Sequence, residues 1–219
     1  MNKFYVVFAL LFLISCHGSK QEAPDEYEKY LDAKENAYLS TENVDTIFLG
    51  LRFGMNRQEV NDYLDSLHQK GRLTLDDIGA YAYIMNTDGA KIKCTLGADF
   101  FKDKLYYFRL RFKGWNPDLD EEEYFPIEVE GVEGFMETLI NKARRTFLQS
   151  SELKHVQYEK FYYQRLDSAN YSSFIRDNLI VEFSPLGLIE YINAPIAKKK
   201  EEMDKMNKNK NLKKTMSDF

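Results

Sequence analysis

The sequence predicts an α+β fold in which helices pack on an antiparallel sheet, as two successive helix-then-three-strand units. Three observations carry that expectation. In LYYFRLRFK, residues 105–113, Tyr106, Phe108, Leu110 and Phe112 alternate with Tyr107, Arg109, Arg111 and Lys113. Such alternation marks an antiparallel strand with one buried face and one wet face. Residues 56–71 carry a start signal, an apolar stripe and a stop signal for a helix. The order of a helix followed by three strands then reads twice, over about 44–115 and about 125–196.

The N-terminus begins MNK and continues FYVVFALLFLIS, residues 4–15, without a charge. As a helix that run spans about 18 Å, short of the roughly 30 Å hydrocarbon core of a bilayer. A short positive start and a brief apolar stretch are the profile of a secretory signal peptide. The run ends Leu13-Ile14-Ser15-Cys16, which resembles the bacterial lipobox. The resemblance implies a diacylglyceryl group on the Cys16 thiol, cleavage that removes residues 1–15, and acylation of the new amino group. Two or three acyl chains hold a protein stably at a membrane where one does not. Position 17 is His, not the Asp that commonly retains lipoproteins at the inner membrane, and QEAPDEYE at 21–28 is loosely similar to the export signals of Bacteroidota surface lipoproteins. The expected location is the cell envelope, at the outer membrane, with either leaflet open.

Residues 16–43 read as a lipidated tether with a short helix, started by Pro24, Asp25 and Glu26 and carrying Tyr27, Tyr30, Leu31 and Tyr38 near one face. The folded domain is expected over 44–196. It opens with a strand at DTIFLGLRFG, 45–54. In the helix that follows, Asn56 and Glu59 form a capping box, Val60, Leu64 and Leu67 form the stripe, and Lys70-Gly71 supply the stop. Strands are expected at AYAYIM, AKIKCTLGADFF and LYYFRLRFK, separated by Asn86-Thr87-Asp88-Gly89 and by Lys102-Asp103-Lys104.

Gly114-Trp115-Asn116-Pro117 breaks the sheet, and DLDEEEYFP forms an acidic connection without the glycine or the spacing of a calcium loop. In the second unit VEGFMETLINKARRTFLQ has Phe135, Leu139, Ala143 and Phe147 on one face, with acidic residues early and Arg144 and Arg145 late, as a helix dipole prefers. Strands are expected at HVQYEKFYYQRL, DNLIVEFS and LIEYINAPI. Residues 197–219 are a Lys-rich tail, expected to be helical and then disordered.

Cleavage before Cys16 leaves 219 − 15 = 204 residues, enough for one domain or two small related halves. With Cys16 lipidated only Cys94 remains, so the mature chain has no internal disulfide. Cys94 shares a strand face with Ile92 and Leu96 and reads as core. From Lys198 to the end there are eight lysines against four acidic residues, so the rest of the chain holds 30 − 8 = 22 basic and 35 − 4 = 31 acidic residues. That balance argues against nucleic acid as the main partner.

The stretch FLGLRFGMNRQEVNDYL, through Gly50, Gly54, Glu59 and Val60, resembles the opening of Bacteroidota envelope lipoproteins with a GI-x-x-G-x-(S/T)-x-x-E signature. Asn56 stands where that signature has Ser or Thr and keeps the capping role. The resemblance implies a fold like β-lactamase inhibitor protein and the small lipoprotein of the barrel-assembly machine, helices on a curved antiparallel sheet, a unit that such proteins sometimes carry in tandem. It implies no catalytic residue, and protein binding through the exposed sheet face and connecting loops.

Chemistry-bearing residues form no recognisable constellation. His17, His68 and His155 sit in no HExxH or CxxC arrangement, and there is no GxSxG, Walker or GxGxxG motif. The expectation is therefore no catalytic residue, no metal and no cofactor. The candidate partner surface is the wet strand face at Tyr107, Arg109, Arg111 and Lys113, since Tyr and Arg are favoured at interfaces. Its competing reading is that these cations pair with the protein's own carboxylates. Asp45-Thr46-Ile47 and Asp167-Ser168-Ala169 resemble the O-glycosylation motif of Bacteroidota, with Ser168 the candidate acceptor. The functional expectation is a lipid-anchored, non-enzymatic interaction module, an assembly factor or inhibitor-like binder with an unidentified protein partner. A glycan- or lipid-binding lipoprotein is the alternative, and a hydrolase without a recognisable motif a further one.

Overall fold

The structure is a computed structural model that describes residues 25–76, 78–87, 90–112, 154–160, 169–184 and 187–217. The signal segment with Cys16, the acidic connection, the second unit's expected helix, Lys113 and Ser168 lie outside the described residues. The fold is α+β, built on an eight-stranded antiparallel sheet of order β1-β2-β3-β4-β8-β7-β6-β5. The strands are β1 (Thr74–Leu75), β2 (Tyr81–Thr87), β3 (Ala90–Phe101), β4 (Lys104–Phe112), β5 (Lys154–Lys160), β6 (Ala169–Arg176), β7 (Leu179–Ser184) and β8 (Leu188–Asn193). Two meanders, one from each half of the chain, meet where β4 pairs with β8. Three helices are described: α1 (Glu26–Leu39), α2 (Arg57–Gln69) and α3 (Ala194–Ser217).

The first unit forms by local chemistry. Asn56 Oδ1 accepts from the Glu59 amide at 2.9 Å, and the Asn56 amide donates to Glu59 Oε2 at 2.7 Å, closing the capping box at the start of α2. At its end the Gly71 amide bonds to His68 O at 2.8 Å and the Arg72 amide to Leu67 O at 2.9 Å. That pair of bonds needs a left-handed residue, which Gly71 supplies with φ +69°. Val60, Leu64 and Leu67 are buried against Phe108, Leu110 and Cys94 of the sheet, each aliphatic side chain contributing roughly 1.5–3 kcal/mol relative to exposure. Hairpin β3–β4 closes on Lys102 and Asp103, φ +49° and +59°, the left-handed pair that matches strand twist in a two-residue turn.

Four expectations are corrected. Residues 45–54 are not a strand: the chain doubles back at Leu49 and Gly50, leaving one isolated bridge between Thr46 and Arg52 and a short 3₁₀ turn at Phe48–Gly50. Their period-two apolar pattern is real, because Ile47, Leu51 and Phe53 all feed the core, but it is satisfied by a tight loop. The short helix expected in the tether is present as α1, but it is not solvated: it lays Tyr30, Ala33 and Ala37 against Tyr171, Ile175 and Ile180 on the sheet face opposite α2. Among the described residues the second unit has four strands, since β6, ANYSSFIR, lies between the expected ones and is buried on both faces from Tyr171 to Ile175. The last strand stops at Asn193, short of the expected Ile196, and the helix expected of the tail begins at Ala194 and runs 24 residues through Ser217.

One buried polar residue ties the halves together. Asn178 Oδ1 accepts from the Val44 amide, its Nδ2 donates to Val44 O and Asn43 Oδ1, both at 3.3 Å, and its carbonyl accepts from the Ala194 amide at 2.8 Å. A single residue thus fixes both the entry to the domain and the start of α3.

Candidate functional site

The expected alternation along β4 holds from Tyr107 to Arg111: Phe108 and Leu110 are buried, while Tyr107, Arg109 and Arg111 are half-buried on the opposite face. It fails at Tyr106, where the register against β3 shifts beside Asp99 and Phe100: Leu105 and Tyr106 are both buried, and Leu105 joins the core of Phe108 and Leu110. The face of Tyr107, Arg109 and Arg111 carries a row of polar side chains. Cross-strand register sets Asp99 beside Tyr107, Gly97 and Glu190 on either side of Arg109, and Glu182 beside Glu190.

Two carboxylates directly opposite one another on neighbouring strands repel unless donors intervene. Here each has a tyrosine. Tyr30 of α1 donates to Glu182 Oε1 at 2.7 Å, with Lys34 Nζ 3.4 Å from the same oxygen, and Tyr107 donates to Glu190 Oε1. Burial, then the neighbouring Glu190 carboxylate, raise the Tyr107 phenol above its ordinary value and keep it a donor. Beside this pair Arg109 lies across β3 because residue 97 is glycine: a Cβ there would stand 2.7 Å from Arg109 Nε. Its guanidinium sits 5.7 Å from the Tyr107 ring centroid and makes a long ion pair, 3.7 Å, to the half-exposed Asp99.

Arg111 differs. Its Nε is buried without a hydrogen-bond partner, and among the described residues the guanidinium has no ion-pair partner. The two readings of this stripe therefore divide by residue. Arg109 is held, loosely, by the protein's own carboxylate; Arg111 is not. A partner that supplies an acceptor would satisfy it.

The remaining sequence candidates are placed as follows. Cys94 is fully buried, and burial pushes its thiol up to about 12, so it stays protonated and packs as core. His68 closes α2 with Nδ1 3.1 Å from Leu73 O. Thr46 is exposed, with its hydroxyl donating to Asp45 Oδ1 at 3.1 Å. Each residue of the glycine-containing signature acts locally. Gly50 lies under the Tyr63 hydroxyl, the Gly54 amide bonds to Leu105 O at 2.9 Å, Glu59 completes the cap and Val60 is core. An open groove of about 630 Å³ runs between this loop and α2, edged by Asp45, Arg52, Glu59, Asp62 and Lys104.

Sequence reasoning missed Tyr30, Lys34, Glu182 and Glu190. The available signal was two strands, DNLIVEFS and LIEYINAPI, each with one glutamate among apolar residues. Comparison with protein-family models, curated protein sequences and solved structures finds no match, so the reading of this chain rests on its own residues and geometry.

Proposed function

We propose that the chain is a lipid-anchored, non-enzymatic interaction module of the cell envelope, held at the outer membrane by acylated Cys16. It docks a protein partner on the sheet face at Tyr107, Arg109 and Arg111. The observation that carries this reading is the Arg111 guanidinium, half-buried, with its Nε buried and without a hydrogen-bond partner. A buried donor without a partner costs roughly 1–3 kcal/mol, which a bound acidic or polar residue returns as affinity. The tyrosine and the second arginine beside it are the residue types that dominate interface energetics. A ligand enclosed between α2 and the sheet is less well supported, because Val60, Leu64, Leu67, Phe108 and Leu110 fill that layer.

The test is site-specific cross-linking. A photo-reactive residue at position 95, which pairs with Arg111 across β3–β4, is carried in wild type and in an Arg109→Ser/Arg111→Ser variant, both expressed in the source cells. The reading expects one discrete protein adduct in wild type, at least tenfold weaker in the variant, as for loss of about 1–3 kcal/mol at an interface centre. An adduct of equal strength in both, or none in wild type, refutes it. Unfolding of the double variant also refutes it, since these arginines are then structural.

A further inference from the structure

The Lys-rich end of the chain is a feature that the docking face does not use. α3 is rooted by the fully buried Ala194, and from Glu201 to Lys210 every residue is exposed. Along its first half three of the four lysines pair with carboxylates of the protein. Lys198 pairs with Glu35 at 2.6 Å, Lys200 with Asp204 at 2.6 Å and Lys205 with Glu201 at 2.5 Å. Beyond Lys205 the helix holds Lys208, Lys210, Lys213 and Lys214 and no carboxylate up to Ser217. Helical spacing puts positions 203, 206 and 210 on one side, so Met203 and Met206, exposed by 37% and 63%, lead into Lys210. A helix this polar offers no apolar stripe to a partner helix or to a second copy.

We propose that the distal half of α3 is a second membrane contact, taking the phosphates of anionic lipid headgroups. The proposal rests on the reading of Cys16 as the anchor. The root of α3 is clamped to α1, the first described element after the tether: Lys198 Nζ is 5.2 Å from the Tyr38 ring centroid, and Ala194 packs with Ala33 and Ala37. Positions 16 and 25 are joined by a stretch of chain that reaches no more than about 30 Å when extended. The cationic end of α3 is thus tied to an element within that reach of the acyl chains. Each lysine close to an anionic surface strengthens binding roughly fivefold.

The experiment uses the mature chain carrying Cys16→Ser, which removes the acyl chains and isolates the helix's contribution. Sedimentation with phosphatidylcholine vesicles, with and without phosphatidylglycerol, is compared for this protein and for K208Q/K210Q/K213Q/K214Q, with circular dichroism confirming equal folding. Glutamine keeps helix propensity close to that of lysine. The expected result is binding to the phosphatidylglycerol vesicles only, at least tenfold weaker in the quadruple variant. It should fade as salt shortens the reach of the surface charge to about 10 Å and below. Equal binding by the variant, no binding to anionic vesicles, or equal binding to neutral ones overturns the proposal. Binding to transfer RNA without binding to vesicles also overturns it, in favour of a nucleic-acid partner. Because the protein tested is unacylated, failure here is separate from failure of the Cys16 anchor.

Discussion

Replacing Gly50 by alanine tests the loop that closes the core beneath α2. Gly50 has φ +88°, and a Cβ built on it would stand 2.6 Å from Tyr63 Oη and 3.7 Å from Cζ. The same hydroxyl donates to Leu49 O at 2.9 Å. Left-handed backbone costs an L-residue roughly 1–2 kcal/mol, and displacing the tyrosine forfeits a hydrogen bond worth about 1 kcal/mol. Gly50→Ala should therefore destabilise by about 2–3 kcal/mol. Tyr63→Phe alone should cost about 1 kcal/mol, the lost hydrogen bond. In that background the offending atom is gone and the next contact, at 3.7 Å, is ordinary. Gly50→Ala should then cost only its backbone share, a coupling of about 1 kcal/mol between the two sites. Urea denaturation of all four proteins, with an unchanged slope, measures it. An equal cost of Gly50→Ala in both backgrounds would refute the steric argument, and a neutral Gly50→Ala would refute the loop conformation itself.

Two further expectations concern buried groups. Burial raises the Cys94 thiol from 9.0 to about 12, so its stabilising contribution is complete below pH 9 and is lost as pH climbs from 9 towards 12. The urea midpoint of the Cys16→Ser protein should fall more steeply over that window than that of the same protein with Cys94→Ala, and a thiol reagent should react only in denaturant; rapid native labelling contradicts the burial. Ser173 is fully buried with no partner for its hydroxyl among the described residues, so Ser173→Ala should leave stability unchanged or raise it by up to about 1 kcal/mol, read by thermal melting. A loss greater than about 1 kcal/mol would mean that the hydroxyl is satisfied by water.

The parts legible in the sequence are those whose chemistry is local. The cap of α2, its Gly71 stop and the alternation of β4 from Tyr107 to Arg111 depend on residues within a few positions of one another, and the structure places them as the sequence reads. The misreadings share a cause, which is tertiary burial. DTIFLGLRFG alternates like a strand, yet Leu49 and Gly50 turn it back on itself, so its apolar side chains reach the core from a loop. β6 reads as polar because of Ser172 and Ser173, yet Ser173 shares the face of Tyr171 and Ile175 beneath α1 and Ser172 shares that of Phe174 in the core on the other side, so packing on both faces makes the stretch interior. The α1 segment reads as a spacer because two alanines, beside one tyrosine, make its contact. The candidate site divides the same way. Tyr107, Arg109 and Arg111 follow from alternation, whereas the tyrosine-capped Glu182 and Glu190 pair depends on β7 lying beside β8 and on α1 reaching Glu182.

Metabolic labelling with an alkyne fatty acid, comparing wild type with Cys16→Ala in the source cells, tests the central claim of a lipid-anchored envelope protein most directly. The account predicts that wild type is labelled and fractionates with the outer membrane, and that Cys16→Ala is expressed but unlabelled. Equal labelling of the two proteins, or an unlabelled wild type found in the soluble fraction, would contradict it.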